Sequence, residues 1–341
     1  MECLKAKEVD SHSQLPQPEE PRRGTTFLKT CFNGLNALSG VGILSIPYAL
    51  SQGGWLSLIL LFLVAVLCWY TGLLLKRCMD SDPLIRSYPD IGEKAFGYKG
   101  RVVVSIFMYL ELYLVAVEFL ILEGDNLYKL FPNAGFKLAG LYIGGKTAFV
   151  LLTALVILPT TWLKSLGMLA YVSAGGVSAS IILVGCVLWV GAVDGVGFHE
   201  DGLTCQLRYK YRHLWINGSF RATSFNPLTK YAVITAPIAT AIEETFVFRD
   251  SRYLSILVRT VIVISTVVVA LAIPFFGYVM AFTGAFFSVT VSMLLPCLCY
   301  LRIDKSARSF GLELVFIVGI LMIGSFVARG MKSQAGAKNN M

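Results

Sequence analysis

The sequence predicts an all-α, polytopic membrane protein, and three observations support this fold class. Hydrophobic residues make up 56% of the 341-residue chain and charged residues only 15%, and the mean hydropathy is +0.69. A soluble domain usually carries about 25% charged residues. The apolar residues also gather into runs of about 20, which is the length of a helix that spans a bilayer. The partner that this composition predicts is the lipid bilayer.

The net charge of +8 fits the same class. Most Lys and Arg residues flank the apolar runs, and eighteen of the 29 lie on one side of the membrane when the amino terminus is placed in the cytosol. Such an excess is typical of cytosolic loops. The charge is therefore explained by membrane topology, and no nucleic-acid partner is expected.

The chain divides into one large region and two polar ends. Residues 1–24 are polar and contain several prolines but no apolar core, so we expect a disordered cytosolic tail. Residues 25–330 are predicted to form one transmembrane domain, and residues 331–341 a second polar tail.

The first apolar run, Thr26 to Leu50, has the motif Ser39-Gly40-Val41-Gly42 near its centre and Pro47 farther along. Hydrocarbon cannot hydrogen-bond to a free backbone, so a broken helix at membrane depth must line a cavity or touch a ligand. Glycines let a ligand approach the main chain, and the N–H groups of the next half-helix favour an anion. A kinked helix packed through its glycines is the alternative, and the motif by itself does not separate the two.

The remaining apolar runs bring the expected number of spans to about nine. Four are long enough to cross by themselves, three are shorter, and the last, which contains Pro237, is accepted as a short span. They are Trp55–Leu75, Val102–Leu122, Leu169–Val193 and Thr260–Phe282; Ala148–Leu163, Ala285–Leu301 and Leu312–Val327; and Tyr231–Ile242.

Two carboxylates lie within the predicted span Val102–Leu122, the third apolar run of the chain. Glu111 and Glu118 are seven residues apart, so two helical turns bring them to roughly one side. A charge at the bilayer centre costs about 3 kcal/mol on insertion scales and usually marks an ion route. Glu111 lies near mid-span and is a candidate for proton coupling, although a purely hydrogen-bonded role is an equal alternative. For Glu118, nearer the far interface, the structural role is favoured.

Catalytic and metal-binding chemistry finds little support in the sequence. His12, His199 and His213 all lie outside the predicted spans, and Cys297 with Cys299 do not make a four-ligand metal set. We therefore expect no enzyme, no cofactor and no metal, apart from a proton or sodium ion as coupling ion. A membrane-embedded enzyme is kept as the minority hypothesis.

Several blocks of sequence resemble the amino acid/auxin permease family, and plant vacuolar amino-acid transporters within it most of all. The resemblance as a whole extends over most of Thr26 to Ala328. The blocks are Asn36–Leu50 followed by Gly53-Gly54-Trp55, Ser87–Gly97, Val117–Asn126, Ser173–Val177 and Asn226–Glu244. The resemblance implies an inverted-repeat transporter fold that moves amino acids, commonly neutral ones, coupled to protons or sodium.

The resemblance also implies roles for individual residues. Ser39, Gly40, Val41 and Gly42 would bind the substrate carboxylate, and Thr235 and Thr240 would lie near an ion position. The family has two more spans after the fifth helix, where this chain has a polar junction at about residues 195–225, so about nine spans stand where the family has eleven. The groups that would recognise the amine and side chain belong to that missing part.

Two functional hypotheses follow from the resemblance. The first is secondary active transport of amino acids, with the vacuolar membrane as the expected location and the plasma membrane as the alternative. The second is a transport-inactive, shortened protein that acts as a membrane partner or regulator of full-length transporters.

Overall fold

The computed structural model describes most of the predicted membrane domain. The described residues are 27–38, 42–131, 136–138, 141–163, 166–193, 227–245, 252–273, 276–304 and 313–325. The tails at 1–24 and 331–341 and the junction at 195–225 lie outside these ranges, so the predicted domain limits stay predictions.

The described residues form helices joined by short loops, with one small hairpin. The helices are α1 (Phe27–Leu38), α2 (Gly42–Asp80), α3 (Tyr88–Phe96), α4 (Tyr98–Leu130), α5 (Gly145–Thr161), α6 (Leu166–Val193), α7 (227–245), α8 (Arg252–Ala272), α9 (Phe276–Phe282), α10 (Leu295–Ile303) and α11 (Glu313–Ser325). Strands β1 (Phe136–Leu138) and β2 (Leu141–Ile143) pair antiparallel between α4 and α5.

The predicted class, a helical polytopic membrane protein, is confirmed. Within the described residues, four helical stretches are long and apolar enough to cross a bilayer, and α5, α11 and part of α6 are shorter apolar helices. The long stretches are Leu56–Asp80, Tyr98–Leu130, Arg252–Ala272 and Val279–Ile303. Many of their large apolar side chains point away from the bundle, as Phe62 does at 71% exposure, which suits contact with lipid.

Two predicted span limits differ from the structure. Helix α2 runs without interruption from Gly42 to Asp80, so it contains Pro47 and joins the end of the first predicted span to the second. Membrane helices tolerate proline because the freed backbone groups find other partners. The predicted span Thr260–Phe282 is divided, since α8 ends at Ala272, just before Pro274 in the sequence, and Phe276 starts the next helix.

Helix α4 lies at the centre of the bundle, in contact with α3, α5, α8 and α9. Its second half is fully enclosed, with Ala116, Val117, Leu120 and Ile121 at 0% exposure. These residues pack with apolar side chains of α5, α7 and α8. A second core joins α2, α3, α10 and α11. Helix α4 is therefore the central element of the first core, and its side chains reach the helices packed around it.

Helix α3 packs against the start of α4 through two glycines. A Cβ atom on Gly100 would lie 2.2 Å from the Gly92 carbonyl oxygen, and one on Gly92 would lie 2.7 Å from the Gly100 carbonyl oxygen. Only glycine fits at such a distance. The Asp90 carboxylate accepts hydrogen bonds from the backbone N–H groups of Ser87 (2.9 Å) and Arg86 (3.2 Å). Burial raises the pKa of the Asp90 carboxyl, but the Ser87 hydroxyl, these backbone N–H groups and the charge of Arg101 together outweigh burial, so the pKa lies below its usual value.

Between α9 and α10 the helix widens into two π-helical segments, Thr283–Ser288 and Thr290–Leu294. In a π-helix the hydrogen bonds run from residue i to i+5, and such turns are frequent at functional sites. The first segment packs on α4. The Tyr88 hydroxyl of α3 donates a hydrogen bond to the Val291 carbonyl in the second segment, at 2.8 Å.

Candidate functional site

The predicted break in the first apolar run falls between two helices. Helix α1 ends at Leu38 and α2 begins at Gly42. Ser39, Gly40 and Val41 lie outside the described residues, and the surroundings of Gly42 do too. The role of these four residues in substrate binding therefore stays a prediction, and the described neighbours of the break show what surrounds it.

The end of α1 is held by two other helices. Asn36, in the last turn of α1, is fully buried, and its Nδ2 donates a 3.4 Å hydrogen bond to the Thr229 carbonyl oxygen of α7. Gly176 of α6 makes this approach feasible, because a Cβ atom there would lie 2.2 Å from Asn36 Oδ1 and 2.3 Å from Thr229 Oγ1. Helices α1, α6 and α7 thus meet three residues before the Ser39-Gly40-Val41-Gly42 motif.

The side of α6 that packs on α1 is polar as well as small. Ser173 is completely buried one turn before Gly176, and its Oγ has no hydrogen-bond partner among the described residues. Ser180, one turn after Gly176, donates a 3.0 Å hydrogen bond to the Gly176 carbonyl oxygen. Buried polar atoms usually have partners, so a hydroxyl without one beside the broken helix is suited to contact a polar ligand.

The two threonines assigned to an ion position are not brought together. Thr235 is buried, its hydroxyl donates to the Tyr231 carbonyl at 2.8 Å, and it lines a narrow crevice that does not admit a water molecule. Thr240 is exposed, and its hydroxyl donates to the Ala236 carbonyl at 2.9 Å. Residues five apart on an α-helix point about 140° away from each other around the helix axis, so the side chains of Thr235 and Thr240 are separated. Their ion-binding role stays a prediction.

Glu111 is partly buried and faces the first π-helical segment. The Ser288 hydroxyl donates a 2.5 Å hydrogen bond to Glu111 Oε1. A short O–H to carboxylate bond of this kind is charge-assisted and holds the acceptor firmly. The sequence did not assign Ser288 a role, because the serine lies 177 residues away along the chain. Coupling through Glu111 stays a prediction.

An ion-paired cluster at the other end of α7 was also not predicted. Arg259 Nε of α8 donates to Glu243 Oε1 of α7 at 3.1 Å, and both side chains are more than nine-tenths buried. The same Glu243 oxygen accepts from the Ser255 hydroxyl at 2.6 Å, and Arg259 NH1 donates to the Thr161 carbonyl of α5 at 2.9 Å. The cluster ties α5, α7 and α8 together at the end that the predicted topology places in the cytosol.

The described residues contain no group of three or more His, Cys, Asp or Glu side chains that could hold a metal ion. What the described structure presents is a set of buried hydroxyls and isolated carboxylates inside an apolar bundle, some of them next to the predicted break in the first apolar run. This combination defines a membrane protein built to move a small polar solute, because polar groups at membrane depth mark solute and ion routes.

Comparison with known proteins agrees with this class. Residues 23–203 and 222–331 match the model of the transmembrane amino acid transporter protein family. The chain belongs to this family, since the match covers far more than half of its length.

The relatives it resembles include plant amino acid transporters. The chain is 41% identical to the amino acid transporter AVT1I of Arabidopsis thaliana over 374 aligned positions, with 89% of this chain and 92% of the relative covered. It is also 41% identical to AVT1J of the same plant, with coverages of 94% and 93%. AVT1B is 39% identical, with 82% of this chain and 65% of the relative covered. No solved structure matches.

The alignments also locate a difference from the relatives. The alignment with AVT1J extends over 393 positions, more than the 341 residues of this chain, so the relative contains residues that the chain lacks. The family match is interrupted between residues 203 and 222. The interruption falls inside the polar junction, which is where the sequence predicts the loss of two spans.

Proposed function

We propose that this chain carries amino acids, neutral ones in particular, across a membrane by secondary active transport coupled to protons. Family membership supports the substrate class, and the relatives are named as amino acid transporters. The observation that carries the proposal is the buried three-helix contact beside the predicted break in the first apolar run. Asn36, Gly176 and Thr229 make that contact just before the glycine motif.

Substrate binding follows from the chemistry of the break. The α-carboxylate of an amino acid is bound by the backbone N–H groups of Gly40 and Gly42 and by the Ser39 hydroxyl, with Val41 between the glycines. The positive end of the α2 dipole adds to this attraction. The buried Ser173 hydroxyl lies on α6, one turn before the Gly176 contact, and we assign it to the same solute because it has no partner among the described residues.

Coupling is assigned to Glu111. A carboxylate inside the apolar bundle is costly when charged, and protonation removes that cost. Its contact with Ser288 joins α4 to the π-helical segment, so gain or loss of a proton changes how strongly the two are held together. Sodium is the alternative coupling ion, and Thr235 and Thr240, which the resemblance assigns to it, would each contact it at a separate position because their side chains do not meet.

The vacuolar membrane is the proposed location, by resemblance to plant vacuolar transporters. The plasma membrane is the alternative. Localisation of a fluorescent fusion of the full chain in plant cells distinguishes them.

Uptake of a labelled neutral amino acid into proteoliposomes tests the transport proposal. We expect saturable uptake that a proton gradient stimulates. Gly42→Trp should abolish uptake, because the ring fills the space between the two half-helices. The matched control is Gly72→Trp, since Gly72 lies exposed on α2 with open space around it, and its uptake should equal that of the wild type.

No uptake from correctly inserted protein, across a broad amino-acid panel, would contradict the proposal. The protein would then be tested as the transport-inactive partner, by measuring whether it alters the flux of a co-expressed full-length relative.

A further inference from the structure

We infer that Glu118 and Thr283 form a second proton-binding position, and that Glu118 and Glu111 hold the transported proton in turn along the contact between α4 and the first π-helical segment. This inference rests on the proposed proton coupling at Glu111. The contact is called the α4–π seam below, and it comprises Glu111, Glu118, Thr283 and Ser288.

Burial and missing partners single out the second position. Glu118 is 8% exposed and Thr283 is 2% exposed. The Thr283 hydroxyl lies beside the Glu118 carboxyl group. Even so, neither Glu118 Oε1 nor Thr283 Oγ1 has a hydrogen-bond partner within the described part of the chain. A charged carboxylate would be strongly unfavourable here, so the arrangement fits a carboxyl group that holds a proton.

The π-helical backbone is what aligns the two hydroxyls. Thr283 and Ser288 are the first and last residues of the segment. On an α-helix, residues five apart point about 140° away from each other. On a π-helix, in which hydrogen bonds join i to i+5, the same residues are roughly one turn apart and face the same way. Both hydroxyls therefore face α4, where Glu118 and Glu111 lie two turns apart.

The two positions differ in their contacts. Ser288 donates a 2.5 Å hydrogen bond to Glu111, whereas neither Glu118 Oε1 nor Thr283 Oγ1 has a partner within the described residues. The proton is therefore assigned to Glu118 and not to Glu111, because a buried carboxylate without partners is the costlier one to charge. In the transfer step the Glu118 O–H bond breaks and a Glu111 O–H bond forms. The two residues lie about 10 Å apart along α4, so the transfer requires a water molecule to enter the α4–π seam and carry the proton between them.

An aromatic cluster lies next to Glu111, towards the amino-terminal end of α4. Phe107, one turn before Glu111 on α4, lies with its ring centroid 6.0 Å from those of Phe286 and Phe287. Phe286 and Phe287 contact each other edge to face, at 5.1 Å. These rings make that side of Glu111 apolar, so Glu118 is the carboxyl group from which Glu111 would receive a proton.

Other titratable groups do not compete for this role. Glu111 is the charged group that acts on Glu118, and Tyr88 of α3 lies near Glu111. Several other charged groups near α4 have partners of their own: Lys146 pairs with Asp125 and Arg259 pairs with Glu243, while the buried Glu123 and Lys230 also make interactions.

Labelling of the full-length protein with dicyclohexylcarbodiimide tests the inference without any variant. This apolar reagent modifies protonated carboxyl groups within membranes. Mass spectrometry should find Glu118 modified in preference to Glu111, with modification falling as the pH rises. Equal labelling of both residues, labelling of Glu111 alone, or protection of Glu118 by sodium at constant pH would overturn the inference.

Transport by variants supplies the functional test. Glu118→Gln should lower gradient-stimulated uptake by about tenfold, within the usual range of coupling between two sites, while exchange of labelled for unlabelled substrate continues. Thr283→Val removes a hydroxyl that would donate a hydrogen bond to charged Glu118. Glu118 should then keep its proton, and its carbodiimide labelling should persist, up to a higher pH than in the wild type. Glu244→Gln, at an exposed position on α7, is the control and should behave as the wild type.

The results separate this inference from the proposed function. Wild-type protein without any gradient stimulation contradicts the coupled transport proposal, and with it the relay. Stimulated uptake in the wild type together with unchanged stimulation in Glu118→Gln overturns the relay alone.

Discussion

At the scale of single residues, the buried pair of Arg259 and Glu243 is the most constrained interaction of the described structure. Two charges taken out of water are tolerated only when hydrogen bonds satisfy them. Glu243 has this support from Ser255, and Arg259 has it from the Thr161 carbonyl. The pair and its partners connect α5, α7 and α8. Arg259 also lines the narrow crevice that Thr235 lines.

Removal of one member of this pair should be costly. We expect Glu243→Gln to lower the free energy of unfolding by about 3 kcal/mol, because Arg259 is left as a buried charge without a carboxylate. Reversible unfolding in mixed detergent micelles measures this value. Glu244→Gln, its exposed neighbour, is the control and should change little.

A double variant separates the charge effect from packing. Glu243→Leu with Arg259→Met replaces the pair by apolar side chains and should recover most of the lost stability. A double variant as unstable as Glu243→Gln would show that the cluster acts through its hydrogen bonds to the backbone and not through the charges.

The residue scale also shows what the sequence could predict of the site. Glu111 was recognisable because a carboxylate within an apolar run is rare. Its partner Ser288 was not, since serines are common in membrane helices and only packing identifies the one that makes contact. For Glu118 the sequence favoured a structural role, and the buried Thr283 beside it is the reason for the different inference drawn from the structure.

At the scale of helices, close packing through glycine decides two contacts. Gly92 and Gly100 bring α3 onto α4, and Gly176 brings α6 against α1 and α7. The resemblance to the transporter family includes Gly92 and Gly176, but sequence by itself does not tell which glycine is needed for a turn, a ligand or a neighbouring helix. The distances do, because a Cβ atom would overlap a backbone or side-chain oxygen.

Substitution of Gly100 tests the first contact. Gly100→Ala should destabilise the protein by about 2 kcal/mol, as expected when a packed contact is overfilled. Thermal unfolding of the purified protein in detergent measures the loss. Gly72→Ala, on an open side of α2, is the control and should be neutral or slightly stabilising. Equal effects of both substitutions would show that helix propensity, and not the contact with α3, explains the result.

Secondary structure was predicted well where it depends on run length and less well where neighbouring helices decide it. The predicted runs Trp55–Leu75 and Val102–Leu122 lie within long helices, whereas Thr260–Phe282 is divided after Ala272. The limit at Ala272 and the two π-helical segments were not predicted. A π-helical turn is stabilised by its packing, here on α4 and through Tyr88, so local sequence does not specify it.

At the scale of the whole molecule, the interrupted family match is the main feature. The chain lacks residues that AVT1J contains, and the interruption falls between residues 203 and 222. Inverted-repeat carriers place substrate between two discontinuous helices, one from each repeat. A chain without the second such helix contacts its solute through fewer groups, and we expect weaker binding and broader selectivity.

A chimaera tests this expectation. Residues 204–221 would be replaced by the corresponding longer segment of AVT1J. The chimaera should show a lower KM for neutral amino acids than the original chain, because it gains contacts to the amine and side chain. A control chimaera carries a flexible Gly/Ser linker of the same length and should not gain affinity. Equal KM values for the original chain and the AVT1J chimaera would contradict the idea that the site is incomplete.

The sequence by itself determined the membrane class and the family, and it predicts the position of the first break. These depend on the length of apolar runs and on motifs within single segments, since lipid forces each span to satisfy its own backbone. Only the tertiary structure decided which polar groups meet. Glu111 with Ser288, Asn36 with Thr229, and Arg259 with Glu243 each join different helices. Such pairs depend on how helices pack and rotate against each other, which local pattern does not encode.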